Sequence, residues 1–314
     1  MGESKPLAVE MRQSPGGSPP VVTMDFHVTS DCNQECPYCW GPQGFEQPVG
    51  TKAALRIIDR IQQVGARRIV FTGGDPLKRK DLARLLRHAR RIGLEVALST
   101  TGDELSLAFL QACAPAIDLI SLPLDGASEE VNSRTKKPGH FTAILQALEW
   151  LRAFPAIDVK LCTPVTRHNL EDVPNIARLA EGYAATTRAR VFYNIFQTFR
   201  RSMDPPDWES LLVTNEEFAA LEQRLAPGAR IRMNFLSRRT LDRLYAMVFP
   251  DGQLVLPKGP DYLSYGPFLE VEDLEAVIRS SPFDAAKHLR HSRGWQKADA
   301  AASGGRACLR KEDP

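Results

Sequence analysis

Strand-like and helix-like patterns of apolar residues alternate along residues 21–197. Short runs of β-branched and other apolar residues, such as RIVFT over 68–72, predict buried strands. Between these runs apolar residues recur every three to four positions, as in TKAALRIIDRIQQVG over 51–65, which predicts amphipathic helices. The predicted strands cover 21–28, 68–72, 95–100, 117–124, 158–165 and 190–197, and the predicted helices cover 51–65, 81–93, 105–113, 141–154 and 170–183.

Six repeats of the strand–helix type favour a parallel sheet with helices on its outside. The predicted fold class is α/β, a partial (βα)6 TIM-type barrel over residues 21–200 with a C-terminal α/β extension over 201–296. In the extension, IRMNF over 231–235 alternates as a half-buried strand does. Residues 1–20 and 297–314 are rich in small and polar residues, which predicts a disordered leader and a disordered tail.

Composition narrows the class of protein. A chain of 314 residues with 43% hydrophobic and 25% charged residues is typical of a soluble globular protein. A formal net charge of +2 gives no sign of a nucleic-acid or membrane surface, and no apolar run is long enough to span a bilayer. Three of the six cysteines are clustered, whereas a secreted disulfide framework would spread them, so we expect a reducing cytoplasm.

The clustered cysteines, Cys32, Cys36 and Cys39, follow the first predicted strand with the spacing C-x3-C-x2-C. Structural zinc sites and most iron–sulfur clusters take four protein ligands. Three cysteines would leave one iron of a cluster open to a small molecule, which is a catalytic arrangement. A zinc loop, or an iron–sulfur or zinc-binding regulator without enzyme activity, is the alternative.

Further motifs follow the next predicted strands. GGDP over 73–76 ends the second strand, STTGD over 99–103 the third, and SLPLDG over 121–126 the fourth. Glycines let the backbone approach a ligand closely, and a loop between strand and helix suits a charged ligand. Because catalytic groups of such barrels lie at the carboxyl ends of the strands, we expect these loops to meet.

CNQECPYC over 32–39 resembles the cluster loop of the radical S-adenosylmethionine (SAM) superfamily. The resemblance implies that Cys32, Cys36 and Cys39 hold a [4Fe–4S] cluster whose fourth iron is chelated by SAM. An electron donor such as flavodoxin or ferredoxin would supply one electron, and SAM would yield a 5′-deoxyadenosyl radical that abstracts hydrogen from the substrate. Only Cys308 follows where other members carry extra cysteines, so we expect one cluster and no auxiliary cluster.

The same resemblance assigns SAM contacts. Tyr38 would pack near the adenine, Thr100 would meet the carboxylate and Ser121 would lie near the ribose. GGDP resembles the motif GGEP, whose backbone meets the methionine amino group. The predicted SAM-binding residues are Tyr38, Gly73, Gly74, Asp75, Pro76, Thr100 and Ser121.

A narrower resemblance is to the viperin-like branch, carried by FHVTSDC over 26–32 and by residues 196–219 and 268–295. Asn194 stands where that branch has a phosphate-binding lysine, and Cys162 stands in place of an asparagine, so a triphosphate is not expected. A small nucleoside or sugar substrate is expected instead, with decarboxylation of cytosylglucuronic acid in nucleoside antibiotic biosynthesis as the favoured reaction. A viperin-like dehydratase or a nucleoside epimerase is the alternative. Peptide modification is disfavoured because peptide-modifying members often need auxiliary clusters.

Alternation along the later strands predicts which side chains face the substrate. Lys160 and Arg232 would suit a carboxylate, and Cys162 would donate a hydrogen atom to a product radical. The alternatives are a buried structural thiol for Cys162 and a solvated edge strand for Arg232 and Asn234. The predicted substrate-side residues are His27, Lys160, Asn194, Arg232 and Asn234.

Overall fold

The computed structural model describes residues 21–42, 47–200 and 206–293. The predicted leader, 1–20, and the predicted tail, 297–314, lie outside the described residues. Within the described ranges, no helix combines the length and the apolar character that crossing a bilayer requires.

One sheet runs through the described residues, with the strand order β10-β9-β8-β1-β2-β3-β4-β5-β6-β7. Strands β1 to β7 are parallel to their neighbours, β8 is parallel to β1, and β9 and β10 continue the sheet as antiparallel strands. The sheet does not close between β7 and β10, so the predicted α/β class and the partial barrel are confirmed. The strands are β1 (Thr23–His27), β2 (Arg68–Thr72), β3 (Glu95–Ser99), β4 (Leu119–Pro123), β5 (Asp158–Val165), β6 (Val191–Gln197), β7 (Arg232–Leu236), β8 (Met247–Val248), β9 (Gln253–Lys258) and β10 (Asp261–Pro267).

Helices connect the parallel strands and cover the outer face of the sheet. In the first of them Ala54, Ile57, Ile58 and Ile61 are buried at helical spacing, and the helix gives way to Gly65, whose φ of 87° suits a residue without a Cβ atom. The helices are α1 (Thr51–Gln63), α2 (Leu82–Arg91), α3 (Leu107–Cys113), α4 (Glu129–Asn132), α5 (His140–Leu151), α6 (Val173–Ala184), α7 (Asn215–Leu225), α8 (Arg238–Leu241), α9 (Leu274–Ser280) and α10 (Ala285–Arg293).

The two faces of the sheet bury different side chains. On β5, Val159 and Leu161 are fully buried in the main core beneath the helices, whereas Lys160 and Cys162 point to the opposite face and are half-buried. A small apolar group of the inner face contains Ala97, Leu119 and Phe192, with Val70 packed against it. The rest of the inner face encloses a cavity.

The C-terminal extension joins the barrel sheet at both of its edges. Strand β7 pairs with β6, for example Asn194 with Asn234, while β8 pairs with β1, for example Asp25 with Met247. Met247 on β8 and Tyr262 on β10 line the cavity, so this part of the extension belongs to the cavity wall. Helix α10 then packs at the amino end of β1, where His288 accepts a hydrogen bond from the backbone N–H of Val22.

Candidate cofactor and substrate site

A cavity of about 350 Å³ lies inside the curved sheet. The three clustered cysteines and Gly73–Gly74 line one end of it, at the carboxyl ends of β1 and β2. Thr23 and His291 line the other end, near the amino end of β1 and beside α10. The cavity therefore extends through the barrel, and the predicted strand-end motifs occupy the end at which barrels of this type carry out catalysis.

The cysteine loop is held against the glycine-rich loop by backbone hydrogen bonds. Gly74 N donates to Thr29 O at 2.8 Å, and Asp75 N donates to Asp31 O at 2.6 Å. Gly73 has a φ of 140°, and a Cβ atom there would overlap the carbonyl oxygen of Thr29. A Cβ atom on Gly74 would overlap the carbonyl oxygen of Asp31. Both glycines are thus required for the two loops to lie this close.

The cysteine sulfurs receive backbone donors from their own loop. Gln34 N donates to Cys32 Sγ at 3.4 Å, and Gly41 N donates to Cys39 Sγ at 3.3 Å. Among the described residues, no three His, Cys, Asp or Glu side chains converge as ligands of one metal ion. A [4Fe–4S] cluster takes each thiolate on a different iron, whereas a zinc site draws its ligands onto one ion. Three thiols, two of which receive backbone donors, are a donor set that such a cluster can take.

Asp75 ties the glycine-rich loop to the end of β3. Its carboxylate is fully buried and accepts hydrogen bonds from Thr100 Oγ1 at 2.7 Å, Thr101 Oγ1 at 2.6 Å and Leu77 N at 3.1 Å. Burial raises the pKa of Asp75, and the two threonine hydroxyls oppose that rise. The Asp75 carboxylate therefore connects parts of the protein to one another, because it is fully buried and accepts three hydrogen bonds from the protein.

Thr100 lines the cavity, but its donors are already used. Its hydroxyl donates to Asp75, and its backbone N–H donates to Ser121 O at 3.2 Å. The predicted contact of Thr100 with the SAM carboxylate stays a prediction. Thr100 positions the glycine-rich loop through Asp75.

Tyr38 belongs to a buried polar network beside the cysteine loop. Its hydroxyl donates to Asp125, which also accepts a hydrogen bond from Thr135 Oγ1 at 2.6 Å. Burial and the Asp125 carboxylate raise the pKa of Tyr38, so the phenol stays protonated. The ring lines the cavity and lies under Lys136 Nζ, which is 5.3 Å from the ring centroid.

Lys136 is a site residue that the sequence patterns did not reveal. It is 8% exposed, and its Nζ lies 3.1 Å from Cys36 Sγ and 3.9 Å from Asp125 Oδ2. Burial lowers the pKa of Lys136, but Asp125 and Cys36 outweigh burial and raise it, so the lysine stays charged. The available signal was its place in RTKKPG over 134–139, in the connection between the fourth strand-end motif and α5.

Three of the predicted substrate-side residues, Lys160, Asn194 and His27, line the cavity, as does Cys162. Cys162 Sγ lies 3.2 Å from Ser121 Oγ, which also lines the cavity. Burial raises the pKa of Cys162 and lowers that of Lys160. These four side chains therefore stand on a partly desolvated wall, with the Cys162 thiol protonated.

Arg232 and Asn234 do not line the described cavity, contrary to expectation. Asn234 Nδ2 donates to Asn194 Oδ1 at 2.8 Å, and Arg232 is exposed, with its Nε 3.3 Å from Asn234 Oδ1. Strand β7 is the last strand at its edge of the sheet, so the cavity wall ends at Asn194. The alternative of a solvated edge strand therefore describes Arg232.

Two titratable groups of β1 face the cavity. His27 packs against Phe249, with ring centroids 5.2 Å apart, and its buried Nδ1 makes no hydrogen bond. Burial lowers the pKa of His27 to about 3, so this imidazole is neutral. Asp25, which the sequence patterns did not single out, has a pKa raised to about 7 by burial, although Lys160 and Arg68 lower it.

Comparison with known proteins identifies the domain that carries these loops. Residues 26–180 match the family model of the radical SAM superfamily. The chain is 31% identical over 216 residues to mycofactocin maturase MftC of Mycobacterium ulcerans, covering 67% of this chain and 56% of that protein. It is 32% identical over 174 residues to the AdoMet-dependent heme synthase of Oleidesulfovibrio alaskensis, covering 54% of this chain and 45% of that protein. The chain thus spans about half the length of these relatives.

Solved structures agree on the fold. Streptococcus suis SuiB bound to S-adenosylmethionine superposes with a TM-score of 0.67 at 11% identity, over 85% of this chain and 68% of that chain. The structure of anSMEcpe with bound AdoMet superposes with a TM-score of 0.60 at 13% identity, over 85% of this chain and 82% of that chain. These likenesses show the fold, and the viperin-like branch stays a prediction. The chain carries a radical SAM domain over residues 26–180 and belongs to the radical SAM superfamily.

Proposed function

We propose that this chain is a radical SAM enzyme that holds a single [4Fe–4S] cluster on Cys32, Cys36 and Cys39 and binds SAM beside it. The observation that carries the proposal is that the cysteine loop and the glycine-rich loop open onto one cavity whose wall continues to Lys160 and Cys162. When bound and reduced by one electron, the cluster and SAM supply a 5′-deoxyadenosyl radical. The protein's own part is to hold the substrate against it and to exclude water.

The cavity suits a small substrate with a negative charge. Its volume, about 350 Å³, is at the lower end of the range of roughly 300–1,000 Å³ found for small-molecule sites, and SAM would share this volume with the substrate. Lys160 brings a positive charge to the wall, and burial makes that charge costly without an anion nearby. Asp25 lies near this charge, and burial raises the pKa of Asp25 to about 7. A substrate carboxylate would add a favourable electrostatic contact with Lys160.

The favoured reaction is the decarboxylation of a uronic acid nucleoside, with cytosylglucuronic acid as the specific substrate. This choice rests on the sequence resemblance and on the placement of Lys160. Decarboxylation replaces the carbon–carboxylate bond with a carbon–hydrogen bond and releases carbon dioxide. One hydrogen atom leaves the sugar for the 5′-deoxyadenosyl radical, and a proton takes the place of the departing carbon dioxide. The Cys162 thiol would then give a hydrogen atom to the remaining product radical, and an electron donor of the flavodoxin or ferredoxin class would restore the thiol with an electron and a proton.

A second candidate function is the modification of a peptide. It is favoured by the similarity to a mycofactocin maturase, which is 31% identical over 67% of this chain. The side chain to be modified would then enter the cavity beside SAM.

The test is a reaction panel on anaerobically reconstituted protein with SAM and a reductant. We expect carbon dioxide and the decarboxylated nucleoside from cytosylglucuronic acid, and neither dehydration of CTP nor a mass change in a mycofactocin precursor peptide. Cys162→Ala should keep forming 5′-deoxyadenosine while product falls at least about tenfold. Cys113→Ala is the matched control, because Cys113 is buried in α3 and does not line the cavity. Loss of water from CTP would contradict decarboxylation and favour a dehydratase. Modification of the peptide would contradict it in favour of a peptide-modifying enzyme.

A further inference from the structure

Asn194 carries a buried amide on the inner face of β6. The residue is 1% exposed and lines the cavity. The sheet register pairs it with Cys162 on β5 and with Asn234 on β7. Asn194 therefore stands between the thiol that faces the cavity and the last strand at this edge of the sheet.

Hydrogen bonds from β7 determine which atom of the Asn194 amide is used within the sheet. The Arg232 guanidinium can only donate, so Asn234 turns its Oδ1 toward Arg232 Nε, at 3.3 Å. Asn234 Nδ2 is then the atom that donates to Asn194 Oδ1, at 2.8 Å. Because the oxygen of the Asn194 amide is held in this way, its Nδ2 amino group is the part that remains for another contact.

The Nδ2 group of Asn194 is a donor that lacks an acceptor. Among the described residues, the hydrogen bond from Asn234 is the one that the Asn194 side chain makes. A buried N–H group without an acceptor costs free energy, and nearly all such groups in folded proteins have a partner. Since Asn194 lines the cavity, a bound molecule that presents a hydrogen-bond acceptor would supply this partner.

Aromatic rings lie between this donor and the cysteine loop. Phe196, two residues beyond Asn194 and on the same face of β6, is half-buried and lines the cavity. Trp40, directly after Cys39, and Tyr245 are also half-buried and line the cavity, with their ring centroids 6.1 Å apart. The three rings rest on one buried apolar group, which contains Phe199, Leu236, Leu241 and Leu244. A cavity wall of this kind suits a planar heterocycle, because aromatic faces stack on such rings.

We infer that Asn194 is a specificity-determining residue, whose Nδ2 donates a hydrogen bond to the ring nitrogen N3 of the cytosine base while Phe196 packs on the base. The inference rests on the proposed function, because the ligand is the cytosine nucleoside named there. Neighbouring strands lie about 4.8 Å apart, so a base at Asn194 brings the attached sugar close to Cys162, the proposed hydrogen donor. The base and the sugar would thus be recognised by adjacent strands.

The test compares two probes that differ at N3, cytosylglucuronic acid and the same uronic acid carrying uracil. Cytosine has an unprotonated N3, which accepts a hydrogen bond, whereas uracil has an N3–H group, which donates one. Binding of each probe to reconstituted, unreduced protein containing SAM is measured by anaerobic calorimetry, and binding of SAM is measured in the same way. We expect the wild type to bind the cytosine probe about tenfold or more tightly than the uracil probe, because uracil would set two donors against each other.

Asn194→Leu removes the donor at similar volume. We expect it to weaken the cytosine probe about tenfold or more, and to change binding of the uracil probe and of SAM less than about threefold. Asn234→Leu is a second variant, on the edge strand, that keeps Asn194 but frees its amide to turn, so the preference for cytosine should fall about threefold or more. Asn175→Leu, on α6 and outside the cavity lining, is the matched control and should keep the preference of the wild type.

The outcomes separate this inference from the proposed function. Equal binding of the two probes by the wild type, or equal weakening of both by Asn194→Leu, would overturn the inference while leaving the reaction standing. Weaker binding of SAM by Asn194→Leu would overturn it too, because the amide would then serve the adenine of SAM. A wild-type protein that cleaves SAM but binds neither probe would overturn both the inference and the choice of substrate. A wild-type protein that does not cleave SAM would overturn the proposed function itself.

Discussion

At the scale of single residues, buried charges next to the cavity separate the roles of neighbouring side chains. Lys136 is buried against Cys36 Sγ, whereas the next residue, Lys137, is exposed and pairs with Glu35 at 2.7 Å. An ammonium group in a desolvated site is a stronger electrostatic partner than the same group in water. Lys136 should therefore support the charge of a cluster at Cys36, and Lys137 should not.

Lys136→Met tests this difference. We expect the initial rate of 5′-deoxyadenosine formation to fall at least about tenfold, because a charge-assisted contact worth about 1.5–3 kcal/mol is lost. Lys137→Met should stay within about twofold of the wild type. Iron content and the melting temperature of both variants separate loss of the cluster from loss of folding. Equal rates in the two variants would mean that Lys136 has no special part in the site.

The two lysines also show where prediction from sequence stops. The motifs after the first four strands were found because the residue types and their spacing are local properties. Which lysine of the pair turns inward depends on Asp125 and Tyr38, which approach only in the folded chain. Thr100 shows the same limit, since its hydroxyl is taken by Asp75 from another loop.

At the scale of elements, local patterns located the strands that pack beneath helices. The bounds of β2 and β5 agree with the prediction, and β1 is shorter than predicted, at Thr23–His27. Burial of one full face gives such strands a strong signal. The alternation of apolar and polar residues on β7 predicted that Arg232 faces the cavity. Because β7 is the last strand at its edge of the sheet, Arg232 is exposed to solvent instead.

Buried histidines of these elements predict a loss of stability in acid. His27 on β1 has a pKa of about 3 in the folded protein and about 6.5 in the unfolded chain. The unfolded chain therefore gains a proton between pH 7 and pH 5 that folded His27 does not, and this lowers the free energy of unfolding by about 2 kcal/mol. Urea denaturation at pH 7 and at pH 5 measures the free energy of unfolding at each pH. In His27→Gln this part of the difference between the two values should be absent. His168→Gln, at an exposed histidine, should retain it; an unchanged pH dependence in His27→Gln would contradict the assigned environment.

At the scale of the whole molecule, segments far apart in sequence enclose one cavity. The cysteine loop follows β1, and α10, about 250 residues later, closes the opposite end. The barrel was predictable because each strand–helix repeat is a local unit. The position of α10 could not be predicted, because it depends on hydrogen bonds that His288 accepts from the backbone of Val22 and Thr23. These residues are far apart in sequence, so no local pattern indicates the contact. The central claim is that this cavity is a site for SAM cleavage at the cysteine loop.

Formation of 5′-deoxyadenosine by anaerobically reconstituted protein, reduced in the presence of SAM, tests that claim most directly. We expect about four irons per wild-type chain and clear cleavage of SAM. Cys36→Ala should abolish cleavage, and Cys113→Ala, which changes a buried cysteine outside the cavity, should leave it intact. Cleavage that persists in Cys36→Ala, or iron-loaded wild-type protein that forms no 5′-deoxyadenosine, would contradict the account.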